Sequence, residues 1–355
     1  MPNAIKYSTS AQTLALKDGN FWIATGDVSK GTTVNTDYWN GITPPTGGYT
    51  IYLNKASNGP SIYVAANDSE LISLTNRIAG TNNTTVNQCL SWFSTQTDKM
   101  VFNRDYESIV TNGLVLNLDS GFVASYPRNE NALYDMSSSG NNSTLTNGPT
   151  YNSGNGGSIV LDGSNDYINC GNGSSLQITG SITVETWIYL TSLTNSSDLS
   201  LFSKYSNTGG SIYQGWILFK STGDYSAYGP GGSGGPANNE FAWLATSNGN
   251  FSGALIGTGL QVLANTWYQV VGVFNSSNDV MQIYTNGTLR RSAVRTGQTS
   301  GVLLNASRNV CVGATPDDNS RFVQGNIPLS RIYNRALTAA EIRQNFEAQR
   351  SRFGI

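Results

Sequence analysis

Two aspartates four residues apart mark the first place in the sequence where side chains could hold a ligand. Asp162 and Asp166 lie in the stretch LDGSNDYI, with Asn165 between them. Oxygen-bearing side chains on a loop suit a hard cation such as Ca²⁺, which needs about six oxygens or more. The stretch supplies three, and its spacing does not match an EF-hand loop. We favour a hairpin turn built on Asp-Gly and Asn-Asp, with a calcium ion on Asp162, Asn165 and Asp166 as the alternative.

A second acidic loop follows much later in the chain. Asp317, Asp318 and Asn319 are consecutive there. The loop could approach the first one or be independent of it, and the sequence leaves both arrangements open.

Catalysis by a general acid and a general base is difficult to build from these residues. The chain has no histidine, which removes Ser-His and Cys-His nucleophile pairs and histidine metal sites. Hydrolysis of a glycosidic bond needs two carboxylates that flank it, whereas the apolar run 182–190 contains only Glu185. We predict that the protein is not an enzyme and that Glu185 lies on a polar face or pairs with an arginine.

The segment from Ser221 to Asn239 contains the best candidates for ligand recognition. It is long and has no apolar periodicity, as is typical of an exposed insertion. Its tyrosines, Tyr225 and Tyr228, could stack on the faces of sugar rings. The alternatives are that the segment is a mobile loop with no binding role or that it forms a subunit contact. We expect four other aromatic residues that lie within predicted strands to be core residues: Trp187, Trp216, Trp243 and Trp267.

Composition excludes several classes of partner. The net charge is −2 and the 20 lysines and arginines are scattered, so we expect no nucleic-acid partner, which would need a basic stripe. No apolar run is long enough to cross a membrane, and the beginning of the chain lacks the features of a secretory signal. We therefore expect synthesis in the cytoplasm without export or membrane insertion.

The three widely spaced cysteines are expected to be buried free thiols.

The elements that position these residues fall into two groups. Residues 1–110 contain apolar strand patterns at 48–53 and 60–64, followed by two helical patterns. The first helix would begin after Asn67 and end at Gly80, and the second would begin with a capping box formed by Thr85 and Gln88. These features predict a small α+β domain over residues 1–110.

Residues 111–355 are dominated by short strand patterns separated by turn residues. The Asn286-Gly287 pair predicts a tight hairpin, because both residues tolerate positive φ. Thr338 and Glu341 form a second capping box, which predicts a short helix near the end of the chain. The predicted fold is mainly β, with an antiparallel sandwich of two sheets over residues 111–355. We expect the C-terminal helix to cover an open sheet edge or end.

Several motifs in chain order carry a resemblance to a known family. They are GLVLNLD (113–119), LDG (161–163), VETWI (184–188), IYTNG (283–287) and RIYNRALT (331–338). From about residue 112 to 346 the chain resembles the laminin-G-like, concanavalin-A-like jelly-roll domains. The version that opens with GLVLNLD and carries LTNGPT (145–150) resembles the one in structural proteins of tailed bacteriophages, notably those of cyanobacteria. Residues 1–110 are similar to the leading segment of the same virion proteins.

The resemblance implies a function that the residues alone do not. It implies a structural protein on the virion surface, either a capsid decoration or a tail or fibre component, made in the host cytoplasm. Residues 1–110 would anchor the chain to other virion proteins or drive formation of a homotrimer, and the jelly roll would project outward. The alternative is a receptor-recognition module that binds a host cell-surface glycan. A glycan-active enzyme is a third interpretation, which Glu185 disfavours because the family's glucanases carry a Glu-x-Asp-x-x-Glu run and this chain does not.

Overall fold

The protein is described by a computed structural model that divides the chain into two compact units. Unit 1 comprises residues 1–109 and 347–354, and unit 2 comprises residues 110–346 and 355. The structure describes residues 4–6, 12–15, 22–25, 49–53, 61–65, 67–94, 99–103, 109–122, 125–128, 131–194, 197–208, 212–315 and 321–355.

In the described part of residues 1–109, unit 1 combines short strands with the helices α1 (Asp68–Ala79) and α2 (Val86–Ser94). The strands there are β1 (Ala4–Lys6), β2 (Gln12–Ala15), β3 (Trp22–Thr25), β4 (Tyr49–Leu53), β5 (Ser61–Ala65) and β6 (Lys99–Asn103). One antiparallel sheet has the order β1-β5-β4-β6, and β2 pairs with β3. The predicted helix caps are confirmed: the Asn67 side chain accepts a hydrogen bond from Glu70 N, and Gly80 ends α1 with φ 67°. Thr85 and Gln88 form the predicted capping box at α2.

Unit 2 is built from two antiparallel sheets. Its strands are β7 (Leu114–Asp119), β8 (Ala132–Leu133), β9 (Ser143–Thr146), β10 (Thr150–Asn152), β11 (Ser158–Asp162), β12 (Tyr167–Asn169), β13 (Ile182–Leu190), β14 (Leu199–Thr208), β15 (Ile212–Lys220), β16 (Glu240–Ala245), β17 (Leu255–Gln261), β18 (Trp267–Asn275), β19 (Val280–Thr285), β20 (Thr288–Val294), β21 (Cys311–Val312), β22 (Gln324–Ile327) and β23 (Leu329–Tyr333). The nine-stranded sheet has the order β10-β11-β22-β13-β18-β19-β20, and β23 pairs with both β13 and β7. The eight-stranded sheet has the order β17-β16-β15-β14-β21-β12-β9-β8.

The chain ends in a helix, α3 (Ala339–Phe353). Thr338 and Glu341 exchange hydrogen bonds at its start, as the capping-box pattern predicted. The predicted fold class, a mainly β sandwich with a C-terminal helix, is confirmed. The expectation that this helix covers a sheet edge or end is wrong, because Ile342 packs against Val271 and Val273 on the face of the nine-stranded sheet, where β18 is an interior strand.

The main core lies between the two sheets, because alternate residues of each strand point to opposite faces. Val184, Ile188 and Phe274 of the nine-stranded sheet share this core with Trp216 and Trp243 of the eight-stranded sheet.

The four tryptophans predicted to be core residues do not share one environment. Trp216 and Trp243 lie between the sheets. Trp187 is also buried, but its ring stacks on Phe346 at a centroid distance of 5.8 Å. Trp267 is only half-buried, with its ring 5.1 Å from that of Tyr189. The prediction is therefore confirmed for three of the four.

The stretch LDGSNDYI connects the two sheets, and its flanking strands do not pair with each other. β11 pairs with β10 and β22 in the nine-stranded sheet, whereas β12 pairs with β9 and β21 in the eight-stranded sheet. The prediction of a hairpin turn at Asp162–Asp166 is therefore wrong, since hairpin strands must pair directly. The predicted hairpin at Asn286-Gly287 is confirmed, with φ values of 50° and 69° between the paired residues Thr285 and Thr288.

Gly272 provides the space that the indole of Trp243 occupies in the core. A Cβ atom on Gly272 would lie 2.4 Å from Cδ2 of Trp243. The Trp243 indole N–H also donates a hydrogen bond to the backbone oxygen of Val273 at 3.1 Å, so the ring cannot move away without losing this bond.

We expect Gly272→Ala to lower the free energy of unfolding by about 1–3 kcal/mol, because overpacking forces a buried ring off its position. Urea denaturation measures the change. The control is Gly180→Ala, whose added Cβ would meet only the Ser276 hydroxyl at 3.8 Å. Equal stability of the two variants would contradict this packing account.

A lysine lies buried at the edge of the core. Lys204 on β14 is 1% exposed, and its ammonium donates hydrogen bonds to the backbone oxygen of Leu176 at 3.1 Å and to Oδ1 of Asn305 at 2.5 Å. Burial away from water disfavours the charged amine and lowers the pKa of Lys204 to about 8.

This lowered pKa predicts a pH-dependent stability. Between pH 8 and the ordinary lysine value of about 10.4 the unfolded chain binds the proton more tightly than the folded one, so stability rises with pH in that window. We expect the stability difference between wild type and Lys204→Met to shift in favour of wild type by about 1–2 kcal/mol from pH 7.5 to 9.5. Denaturation curves at both pH values measure it. A difference that does not change with pH would contradict the assignment.

Candidate ligand-binding site

The outer face of the eight-stranded sheet is apolar, like its inner face. In β15, Trp216 and Leu218 point into the main core, whereas Ile217 and Phe219 point to the opposite side. The outward-facing cluster also includes Tyr205, Ala242, Leu244, Ala254 and Leu255. An apolar sheet face is stable only when other parts of the chain shield it from water. Loops of unit 2 therefore pack against this cluster.

Five aromatic rings extend from this cluster in a row, which we call the aromatic strip: Tyr205, Tyr213, Phe251, Tyr228 and Tyr225. Consecutive ring centroids lie 6.4, 4.7, 4.8 and 6.4 Å apart in that order. Tyr205 is buried, three of the other rings are half-buried, and Tyr228 is 43% exposed. Four of the five rings of the strip are therefore at least partly open to solvent.

The segment 221–239 that carries Tyr225 and Tyr228 is held by its own backbone. Tyr225 N donates to the oxygen of Pro236 at 2.8 Å, and Gly235 N donates to that of Ser226 at 3.2 Å. A third bond joins Gly253 N to the oxygen of Tyr228 at 2.8 Å. These bonds disfavour the alternative of a mobile loop with no binding role.

Two glycines in this segment are required for steric reasons. A Cβ atom on Gly235 would lie 2.0 Å from the backbone oxygen of Tyr225, and one on Gly229 would lie 2.0 Å from that of Ser233. Both positions need glycine because the backbone packs against itself there.

A buried carboxylate lies behind the strip. Asp198 accepts hydrogen bonds at Oδ1 from the backbone N and the hydroxyl of Thr222, at 2.8 and 3.2 Å. At Oδ2 it accepts from the Tyr225 hydroxyl at 3.3 Å and from Nη1 of Arg321 at 2.9 Å. Burial raises the pKa of Tyr225, and the negative charge of Asp198 adds to this effect. The Arg321 guanidinium also lies 5.9 Å from the centroid of the Tyr205 ring.

The structure brings together the two predicted recognition residues, Tyr225 and Tyr228, with their centroids 6.4 Å apart. The sequence interpretation missed the rest of the strip and both charged residues. One signal in the sequence indicates the apolar outer face on which the strip lies. In β15 the side chains that point to either face of the sheet are apolar, which is typical of a strand buried on two faces. Nothing local points to Asp198 and Arg321, because they are 123 residues apart.

The three predicted calcium ligands lie together on the connection between the sheets, where both carboxylates already accept backbone hydrogen bonds. Oδ1 of Asp162 accepts from Ser164 N at 2.8 Å and from Asn165 N at 3.3 Å, and Oδ2 of Asp166 accepts from Asp162 N at 3.2 Å. Burial opposes ionisation of Asp162, but these hydrogen bonds outweigh it and its pKa is lowered. Burial, followed by the charge of Asp162, raises the pKa of Asp166.

No cluster of three or more acidic, histidine or cysteine side chains that could hold a metal is found in the part of the chain that the structure describes. The second acidic loop, residues 317–319, lies outside the described residues. The calcium site therefore stays a prediction.

Glu185 is sequestered on the outer face of the nine-stranded sheet. Oε1 accepts hydrogen bonds from Nε2 of Gln269 at 2.9 Å and from Nη1 of Arg331 at 3.3 Å, and Oε2 accepts one from Nδ2 of Asn345 at 2.7 Å. The residue is 1% exposed. The predicted pairing with an arginine is confirmed, and this carboxylate cannot reach a glycosidic bond.

Two further expectations can be compared with the described residues. Cys89, Cys170 and Cys311 are buried thiols that take part in no disulfide, as predicted. Among the helices in the described ranges, none combines the length and the apolar character that crossing a bilayer requires.

Residues 162–343 match the Laminin_G_3 family, described as the Concanavalin A-like lectin/glucanases superfamily. The match covers more than half of the 355 residues. The chain therefore belongs to this superfamily.

Solved structures with a similar fold include bacterial toxin and enzyme domains. The binding domain of Paraclostridial Mosquitocidal Protein 1 is 17% identical with a TM-score of 0.47, over 66% of this chain and 52% of that one. The ligand binding domain of botulinum neurotoxin serotype D, in complex with N-acetylneuraminic acid, is 17% identical with a TM-score of 0.48, over 69% and 53%.

Domain 4 of AbnA, a GH43 extracellular arabinanase from Geobacillus stearothermophilus in complex with arabinotriose, is 16% identical with a TM-score of 0.45. The similarity covers 66% of this chain and 99% of that one. The chain thus spans about half the length of the toxin domains that it matches. A search of curated proteins found no match.

We expect neither added Ca²⁺ nor a chelator to change the thermal unfolding midpoint, because Asp162 and Asp166 are already used in the connection between the sheets. Circular dichroism melting curves with Ca²⁺ and with EDTA measure it. The variant Asp162→Ala should melt at a lower temperature by the same amount in both conditions. A midpoint that rises with Ca²⁺ in wild type and not in Asp162→Ala would establish the calcium site instead.

Proposed function

We propose that the jelly-roll unit is a non-catalytic carbohydrate-binding module and that the aromatic strip is its binding surface. The observation that carries this proposal is the row of partly exposed rings, spaced 4.7–6.4 Å apart. Tyrosine rings combine an apolar face, on which the C–H groups of a sugar can stack, with a hydroxyl that can hydrogen-bond. Binding sites for small ligands typically combine such aromatic walls with a few fixed polar groups.

Membership of a superfamily of lectins and glucanases is compatible with binding or hydrolysis, and the position of Glu185 favours binding. This carboxylate is buried and accepts three hydrogen bonds, so it is available neither as an acid nor as a nucleophile. Asp198, just before β14 of the other sheet, is also buried and lies behind the strip. The strip therefore supports sugar binding without supplying a pair of carboxylates.

We also propose that the chain is displayed on the surface of a tailed-phage virion, as a capsid decoration or as a tail or fibre component. The motifs GLVLNLD (113–119) and LTNGPT (145–150) support this proposal through their resemblance to phage structural proteins. Residues 1–110 would attach to other virion proteins, with a homotrimer as the assembly state. A glycan-binding jelly roll in that position would recognise a host cell-surface receptor. Locating the chain in a particle by electron cryo-microscopy tests the proposal, and a chain absent from the particle would overturn it.

A glycan array tests the binding proposal. We expect wild type to bind at least one class of glycan. Tyr228→Ala and Tyr225→Ala should each bind about 2- to 12-fold more weakly, because each loses an aromatic contact worth roughly 0.5–1.5 kcal/mol.

The control is Leu289→Ala on β20. Leu289 is 43% exposed, as is Tyr228, but it does not belong to the strip. If wild type bound no glycan, or if Leu289→Ala lost as much affinity as the tyrosine variants, the aromatic strip would not be the binding surface.

A further inference from the structure

We propose that Asp198 is a positioning residue that fixes the aromatic strip in its binding geometry, an inference that rests on the proposed glycan-binding function. Asp198 belongs to the segment just before β14, and its partners come from two other places in unit 2. Thr222 and Tyr225 belong to the segment between β15 and β16, and Arg321 precedes β22. One carboxylate therefore ties together three parts of the chain behind the strip.

The carboxylate has little capacity left for a ligand. Each of its oxygens accepts two hydrogen bonds, at distances between 2.8 and 3.3 Å. An ionised carboxylate has about four acceptor positions and no donor. Asp198 is only 6% exposed. It therefore acts on a bound sugar through Tyr225 and Arg321.

The charges around Asp198 favour its role as a fixed acceptor. The Arg321 guanidinium forms an ion pair with it at 2.9 Å, and charge-assisted hydrogen bonds are stronger than neutral ones. Lys220 is a second cation nearby: burial lowers the pKa of Lys220, and the charge of Asp198 opposes that lowering. The Lys220 ammonium itself donates to the backbone oxygen of Leu193 at 3.0 Å. Neutralising Asp198 would thus remove the anion that forms this ion pair with Arg321 and whose charge acts on Lys220.

The consequence for binding follows from pre-organisation. With Asp198 in place, the Tyr225 ring is held before a ligand arrives, so binding does not have to order it. Removing the carboxylate moves that ordering cost to the binding step. The affinity should fall although no atom that contacts the sugar has been removed.

The test compares Asp198→Asn, Tyr225→Phe and the double variant by calorimetric titration with the array's best oligosaccharide. Tyr225→Phe keeps the ring and removes only the hydroxyl that bonds to Asp198. We expect each single variant to bind about three- to tenfold more weakly. The double variant should bind about as weakly as Asp198→Asn alone, because both changes remove the same interaction.

A second readout separates positioning from a general loss of stability. NMR titration of the protein with ¹³C-labelled tyrosine rings should show a lower pKa for Tyr225 in Asp198→Asn than in wild type, since the charge of Asp198 helps to raise it. The control is Asp224→Asn. Asp224 is an exposed residue of the same segment that accepts a hydrogen bond from Ser226 N, and the amide oxygen of asparagine can accept it too. This variant should keep the affinity of wild type.

The outcomes distinguish the inference from the proposed function. If wild type binds a glycan and both Asp198→Asn and Tyr225→Phe bind it equally well, the positioning role is wrong and the glycan site stands. If wild type binds none, the proposed function fails and the inference with it. If Asp198→Asn does not fold, Tyr225→Phe decides: weaker binding supports the inference, and unchanged affinity overturns it.

Discussion

Strands β14 to β16 carry apolar side chains on both faces, and the arrangement of unit 2 depends on this constraint. Their inner face packs against the nine-stranded sheet through residues such as Trp216 and Trp243. Their outer face presents Ile217, Phe219 and Leu244, which would be exposed on a bare sheet. Covering this second face requires the segments around Tyr225 and Phe251 to fold over it. The aromatic strip is the surface that results.

The outer face of the nine-stranded sheet is covered in a different way. The first turns of α3 pack Ile342 against Val271, Val273 and Tyr333 of the sheet. Glu185 in this interface has each of its oxygens hydrogen-bonded, so the buried charge is compensated. The outer face of the nine-stranded sheet is thus covered by a helix. The outer face of the eight-stranded sheet is covered by loops whose aromatic rings stay partly exposed. This difference is the reason why the candidate binding site lies on the eight-stranded sheet.

Features with local signals could be predicted from the sequence, and features that depend on distant partners could not. The Asn286-Gly287 hairpin and the capping box at Thr338 follow from neighbouring residues alone, and both are confirmed. The prediction of a hairpin at Asp162–Asp166 is wrong because the same turn residues occur in hairpins and in connections between two sheets. The choice depends on β21 and β22, about 150 residues later in the chain. For the same reason the loop that carries Tyr225 and Tyr228 could be predicted, whereas the contacts that join it to Asp198 and Arg321 could not.

The proposed function requires that the aromatic strip is the surface that contacts a sugar. Side-chain NMR spectra of the protein with ¹³C-labelled tyrosine and phenylalanine rings, titrated with the best-binding oligosaccharide, test it most directly. We expect shifts concentrated on the four partly exposed rings, Tyr213, Tyr225, Tyr228 and Phe251, with the rings of Tyr126, Tyr284 and Tyr333 unchanged. Saturable shifts confined to rings outside the strip, with those four unchanged, would contradict it.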